Sequence, residues 1–169
     1  RIHEKLLANR RGVDRIYFSC VMVDSSSVRA VFWGENRAQP RGSREIGSKH
    51  HILTDENGTP ITASVTGANR HDVNELLPLV DAIPPIRRKR GRPLTKPQKL
   101  YADRGYDSDP HLEELRRRYI ELVIAKRNTD HGSGLGVFRY IVEQTIALLH
   151  QFRWLRTRYE NGTISMNRS

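Results

Sequence analysis

The dipeptide Asn57-Gly58 limits what this chain can fold into more than any other feature. It separates two runs rich in β-branched residues, 49–54 and 59–66. A tight hairpin turn needs positive φ at its centre, which Asn and Gly tolerate best, so the pair predicts two antiparallel strands. An earlier run, residues 17–23, is also aromatic and β-branched, and it stops at Asp24-Ser25-Ser26-Ser27, a polar cluster typical of a strand end. Three successive strands therefore predict an antiparallel meander. From Asn69 the period changes: Val73, Leu76, Leu77 and Val80 recur at helical spacing until Pro84-Pro85 stops them. A short apolar strand at 100–103 follows, then a helix at 109–119, a strand at 122–125 and a long helix at 138–156. The order predicts an α/β fold, a mixed sheet of a three-strand meander plus parallel strands, flanked by helices.

Between these elements lie segments that cannot pack. Residues 34–48 hold three Gly, three Arg and one Pro and read as a surface loop, and residues 131–136 read as a flexible Gly-rich connection. Residues 1–14 read as a helix end carrying Ile2, Leu6 and Leu7, with a turn at Gly12. The lone Cys20 excludes a disulfide framework within the chain and a multi-cysteine zinc site. No apolar run nears the roughly 18 residues of a membrane span, so no membrane partner is expected.

Charge points to a partner. The chain carries 29 Lys+Arg against 19 Asp+Glu, net +10, and 23 of the 29 are Arg. Arginine binds phosphates through planar, bidentate contacts, so a nucleic acid is the leading inference. GC-rich codon usage is the alternative, and it would spread arginine along the chain. Residues 87–99 instead concentrate seven basic groups, among them Arg87, Arg88, Lys89, Arg90 and Arg92, with no acid. They directly precede the strand that ends in Asp103.

Three acids stand out by position: Asp24 and Asp103 at the ends of apolar strands, and Glu143 in the last helix. They lie 79 and 40 residues apart. On that helix Phe138, Ile141, Val142, Thr145, Leu149 and Phe152 form an apolar stripe, while Arg139, Glu143, Ile146 and His150 share a different one. Three convergent carboxylates suit a hard cation such as Mg²⁺ or Mn²⁺, whose pairs activate and stabilise the oxygens of phosphodiester chemistry. Plainer readings stand beside this one. Either aspartate taken singly is more simply a turn cap, Glu143 pairs with Arg139 one turn away, and a basic run is by default a solvated loop. Asn69, His71 and Asp72 most simply cap the first full helix. His50 and His51 fall on opposite faces of a strand, which argues against a shared metal.

The segments VDSSSVRA, GSKHHILTD, TGANRHDV, LYADRGYDS and RYIVEQTIALLHQFRWLRTRYE, in this order, resemble the DDE transposases of bacterial insertion sequences, in particular the insertion-sequence-five family. The resemblance covers about residues 15–160, the expected catalytic domain, after the end of an upstream helical region (1–14) and before a non-family tail (161–169). It implies a ribonuclease-H-like fold, with Asp24, Asp103 and Glu143 as catalytic residues holding Mg²⁺ or Mn²⁺. It also implies cleavage at the element's ends and transfer of the freed 3′-hydroxyl into target DNA. The family's signature around the glutamate is Tyr, two residues, Arg, three residues, Glu, six residues, Lys. Arg139 and Glu143 match it, whereas Gly136 and His150 stand at the tyrosine and lysine places. Arg139, His150 and Arg153 join the basic loop as expected DNA contacts. The implied partners are the terminal inverted repeats and target DNA, with a homo-oligomer when full length, in the bacterial cytoplasm at the nucleoid. The missing upstream region and the changed tail give the expectation of a truncated or frameshifted product. A nuclease of the same fold and an inactive DNA-binding fragment are the alternatives.

Overall fold

Strand β1 (Cys20–Arg29) is shared by two ladders of opposite sense, and the sheet is built around it. The computed structural model describes residues 5–7, 9, 17–29, 47–86, 92–124, 135–152 and 155. In it β1 pairs antiparallel with β2 (Gly47–Asp55), which pairs antiparallel with β3 (Pro60–Gly67). On its other side β1 pairs parallel with β4 (Lys99–Ala102), and β4 parallel with β5 (Glu121–Ile124). The order β3-β2-β1-β4-β5 is the expected meander plus parallel strands, consistent with a ribonuclease-H-like fold. The connections supply two 3₁₀ turns, η1 (Asp72–Glu75) and η2 (Arg104–Tyr106), and three helices, α1 (Leu76–Asp81), α2 (Asp109–Arg117) and α3 (Leu135–Leu149). Among the described residues no helix is long and apolar enough to cross a membrane.

Strand alternation divides the core in two. Val21, Val23, Leu53 and Leu100 face one side, where they pack with Leu76, Leu79 and Ile83 of the α1 region and Leu115 of α2. Met22 and Ile52 face the other, where Val142 and Ile146 of α3 cover them. Tyr101 and Phe138 stack there with ring centroids 4.1 Å apart. Leu7, in a helical stretch as expected, is buried against the larger cluster.

The Asn57-Gly58 turn forms where the sequence puts it, and Asp55 organises it. This fully buried carboxylate accepts the backbone N–H groups of Asn57 (3.0 Å), Thr59 (2.7 Å) and Tyr17 (3.3 Å). It ties the turn to the approach of β1. Gly58 has φ +74°, and its carbonyl accepts the Thr145 hydroxyl at 2.9 Å, so the hairpin docks on α3.

Several boundaries differ from expectation, each for a tertiary reason. β1 runs on through the serines to Arg29, because β2 continues to pair with it as far as Arg29 opposite Gly47. Gly47 and Ser48 are accordingly strand rather than loop, and residues 34–46 lie outside the described ones. The helix expected from Asn69 is a 3₁₀ turn followed by a short α-helix, ending before Pro84. α3 starts earlier than expected, with Gly136 already helical, and ends at Leu149. Ile146 lies on the covered face of α3, while Phe152, past the helix end, is exposed. At residues 87–99, Ile86 and Leu94 exchange both backbone hydrogen bonds, and Lys99 belongs to β4.

Two predictions follow from this packing. A Cβ on Gly58 would stand 2.7 Å from Thr145 Oγ1 and 3.4 Å from Ile141 Cγ2, on a backbone already at positive φ. Gly58→Ala should therefore cost about 2–4 kcal/mol of unfolding free energy, measured by denaturant titration, from left-handed strain and overpacking together. The second concerns His51, which is fully buried with Nε2 2.8 Å from Thr66 Oγ1. Burial pulls its imidazole below the usual 6.5, despite the opposing pull of Asp72 and Glu75. A depressed imidazole contributes stability above the unfolded value that is lost as pH falls through the folded one. Unfolding free energy should thus drop as pH falls from about 7 through the depressed folded-state value, with a shallower slope in His51→Gln.

Candidate active site

The β1–β4 ladder ends at the pair Val23 and Ala102, and Asp24 and Asp103 are the next residues on the two strands. Neighbouring residues in parallel register point the same way, so alternation sends both aspartates to the face that α3 covers. Asp24 remains inside β1, opposite Ile52 of β2. It is a mid-strand residue rather than the strand terminus the sequence predicted. Asp103 leaves β4 with extended backbone (φ −76°, ψ 169°) at the start of η2, and its side chain makes no capping hydrogen bond. The turn-cap reading of Asp103 therefore fails. Among the described residues Asp24 Oδ1 accepts a local backbone bond, from Ser25 N at 2.8 Å.

The two aspartates line one small cavity with Tyr101, Phe138, Arg139 and Val142. It is a small, open cavity of about 30 Å³, room enough for an ordered water or a small ion. Glu143 is on the same helix as Arg139, one turn on, and accepts Arg139 Nε at 2.7 Å. Both side chains are about half exposed, at 60% and 48%, so this ion pair alone adds little stability.

The electrostatics of the four groups are coupled. Burial raises the Asp24 carboxyl above its ordinary value, and Glu143 and Asp103 push it further the same way. The Ser25 N–H and Arg139 oppose them. Arg139 is held in its charged form first by its hydrogen bond to Glu143, then by Asp103, with Asp24 adding to them. One guanidinium thus stands within the field of all three acids. Among the described residues no group of three or more His, Cys, Asp or Glu side chains is arranged to hold a metal ion. Asp24 and Asp103 line one cavity, and Glu143, paired with Arg139, is not among its lining residues although its charge reaches Asp24.

The expected DNA contacts divide similarly. Arg92 is exposed, whereas Arg87, Arg88, Lys89, Arg90 and Arg153 lie outside the described residues. His150 follows α3 and is half-buried, its ring edge-on to His50 at 6.0 Å. Burial, aided by His150, pulls the His50 imidazole below its usual range. Sequence reasoning missed Tyr101 and Phe138, which wall the cavity. The period-2 pattern of β4, continued from Asp103 back to Tyr101, was the signal for the first.

Asp72 is the larger surprise. His71, not Asp72, takes the N-cap position of η1, and no side chain caps that turn. The Asp72 carboxylate instead reaches β1, accepting Ser25 Oγ at 2.8 Å. Nothing in the local pattern around Asp72 announces a partner 47 residues away.

Comparison with known proteins identifies the family. A family profile described as "Transposase DDE domain" matches residues 18–164. A Burkholderia cepacia protein designated a transposase for insertion sequence element IS402 is 55% identical over 155 residues, which cover 90% of this chain and 72% of that protein. The transposase for insertion sequence element IS1106 of Neisseria meningitidis serogroup B is 30% identical over 129 residues, 70% of this chain but only 41% of the relative. Among solved structures, a chain of the simian T-cell lymphotropic virus intasome in complex with a PP2A regulatory subunit aligns at TM-score 0.49 and 16% identity. That alignment covers 82% of this chain and 41% of the other. On the strength of the profile and the Burkholderia relative, the chain belongs to the DDE transposase family.

Proposed function

We propose that residues 15–160 are the catalytic domain of an insertion-sequence transposase that cleaves phosphodiester bonds at the element's ends and transfers the strand into target DNA. Asp24, Asp103 and Glu143 are its acid triad, and Mg²⁺ or Mn²⁺ its cofactor. The observation that supports this reading is the register of the parallel ladder, beyond whose last pair Asp24 and Asp103 both line one small cavity. An Asp24 carboxyl raised by burial and by two neighbouring acids is a site whose charge a cation would relieve. Bound there, a divalent ion supplies Lewis-acid polarisation of phosphoryl oxygens and lowers the pKa of the attacking hydroxyl or water.

The chain's own residues do the rest. Asp24 holds its carboxylate inside a packed sheet, a more exact mounting than a loop provides, and Asp103 directly follows β4 at the start of η2. Glu143 is the third acid, oriented by the bond it accepts from Arg139 Nε. Arg139 brings positive charge to the cavity for a phosphate. Arg87, Arg88, Lys89, Arg90 and Arg92, with His150 and Arg153, bind the backbone of the terminal inverted repeats and the target DNA. A full-length homo-oligomer at the bacterial nucleoid completes the proposal. One observation favours a second reading, a DNA-binding fragment without catalysis: Glu143 is already paired with Arg139 and forms no three-acid group among the described residues.

Cleavage decides between them. DNA carrying the source element's ends should be nicked in Mn²⁺ by the parent chain and left intact by Asp24→Ala, Asp103→Ala and Glu143→Gln, with all three variants still binding DNA. Parent DNA that stays uncut, or Mn²⁺ affinity unchanged in both aspartate variants, would sink the triad. Nicked ends that never join target DNA would make the chain a nuclease. Separately, replacing the basic residues at 87–90 and Arg92 with glutamine should flatten the salt dependence of DNA binding. The slope of log K against log salt should fall by about 0.9 for each phosphate that is no longer neutralised, with Mn²⁺ affinity unchanged. A parental slope would remove the loop from the DNA interface.

A further inference from the structure

The far side of the sheet carries a polar contact that touches both acid-bearing segments. Alternation along β1 sends Ser25 to the face opposite Asp24, and there Ser25 Oγ donates to Asp72 Oδ1 at 2.8 Å. The same oxygen receives Lys49 Nζ, from β2, at 3.0 Å, and the buried His51 Nδ1 lies 3.8 Å away. Lys49 is itself fixed by the Arg70 carbonyl at 3.1 Å. The second carboxylate oxygen faces η2: a Cβ added to Gly105 would stand 3.3 Å from Asp72 Oδ2. One side chain therefore bonds to the residue after Asp24 and lies against the residue two beyond Asp103.

Three further observations separate this contact from ordinary packing. Asp72 does not cap its own turn, so its carboxylate is committed to tertiary partners. Its side chain and that of Lys49 are only 25% and 15% exposed, where a hydrogen-bonded charge pair is less screened than at the surface. It also lines a polar cleft of about 440 Å³ together with Lys49, Arg70, His71 and Gly105, so it is no part of either apolar cluster.

We propose that Asp72 is a positioning residue that fixes the separation of Asp24 and Asp103 by bonding to Ser25 and bearing on Gly105. The inference rests on the reading that these two aspartates hold the divalent ion. Glycine at 105 then has a reason: any side chain there would press on the carboxylate that sets the spacing.

The test is Mn²⁺ binding to the whole chain, followed by calorimetry, in the parent, Asp24→Asn, Ser25→Ala, Asp72→Ala, Asp72→Asn and the Ser25→Ala/Asp72→Ala pair. Asp72→Ala should weaken Mn²⁺ by about tenfold or more, the range typical of groups that orient metal ligands. The double variant should bind no more weakly than Asp72→Ala alone, because both changes remove one bond. Asp72→Asn, which still accepts from Ser25, should recover most of the affinity, and metal-free DNA binding should match the parent throughout. Parental Mn²⁺ affinity in Asp72→Ala, or additive losses in the pair, would overturn the proposal. A parent that binds Mn²⁺ no better than Asp24→Asn would overturn the metal reading instead. The clamp is then judged by amide hydrogen exchange, which should quicken about tenfold at Ser25 and Tyr106 in Asp72→Ala while Leu53 is unchanged. Unaltered exchange at both amides refutes it.

Discussion

The rest of the structure depends on two ladders of unequal length meeting on one strand. On one side β1 stays paired with β2 to Arg29, and on the other its parallel pairing with β4 ends at Val23. Where the shorter ladder stops, β4 turns away into η2 and a gap opens beside a strand that is still held straight by its other neighbour. Asp24 and Asp103 border that gap. The backbone around Asp24 is fixed by the antiparallel partner, so its carboxylate can sit beside a second acid without the strand relaxing apart. In an open parallel sheet, a change of strand direction next to a shared strand is where such sites assemble.

The same strand also explains why the two faces have different jobs. Period-2 alternation gives Met22 and Asp24 to α3, and Val23 and Ser25 to the side of α1 and η1. One face therefore combines an apolar patch with the acids and a helix that brings both a cation and a further acid. The other combines the larger apolar core with the Ser25, Lys49 and Asp72 contacts at its polar margin. Arg139 tempers the repulsion that would otherwise build up among Asp24, Asp103 and Glu143. A protein that gathers acids near one cavity needs such a countercharge whenever no other cation is close.

Much of this was legible residue by residue. Asn57-Gly58 announced the hairpin because its conformational demand is local, and the β-branched runs on either side supplied strands long enough to use it. The change from period 2 to period 3.6 after Asn69 located the first helical segment, though not its 3₁₀ start. Asp24 and Asp103, singled out from among the chain's acids by their positions after apolar runs, both line one cavity. Three readings went astray because each needed a partner far along the chain. The serines after Asp24 looked like a terminus, but β2 keeps them in the ladder. Ile146 looked as though it shared the polar stripe of Glu143, but it packs with Met22, Ile52 and Val142 between α3 and the sheet. Asp72 looked like a cap, but Ser25 and Lys49 claim its carboxylate.

By itself the sequence determined the turn chemistry, the strand and helix order, the basic excess with its concentration at 87–99, and membership in a family through ordered motifs. Those properties reside in single residues or short windows, where dihedral preference, hydrophobic period and charge act without long-range help. Only the tertiary structure decided that Asp24 lies within a strand, that Asp103 comes beside it in register, and that Glu143 is paired with Arg139. Only there, too, did Asp55 become the buried acceptor of three backbone N–H groups. Strand register and side-chain partnership are set by pairing across tens of residues, and a local window contains only one half of each pair.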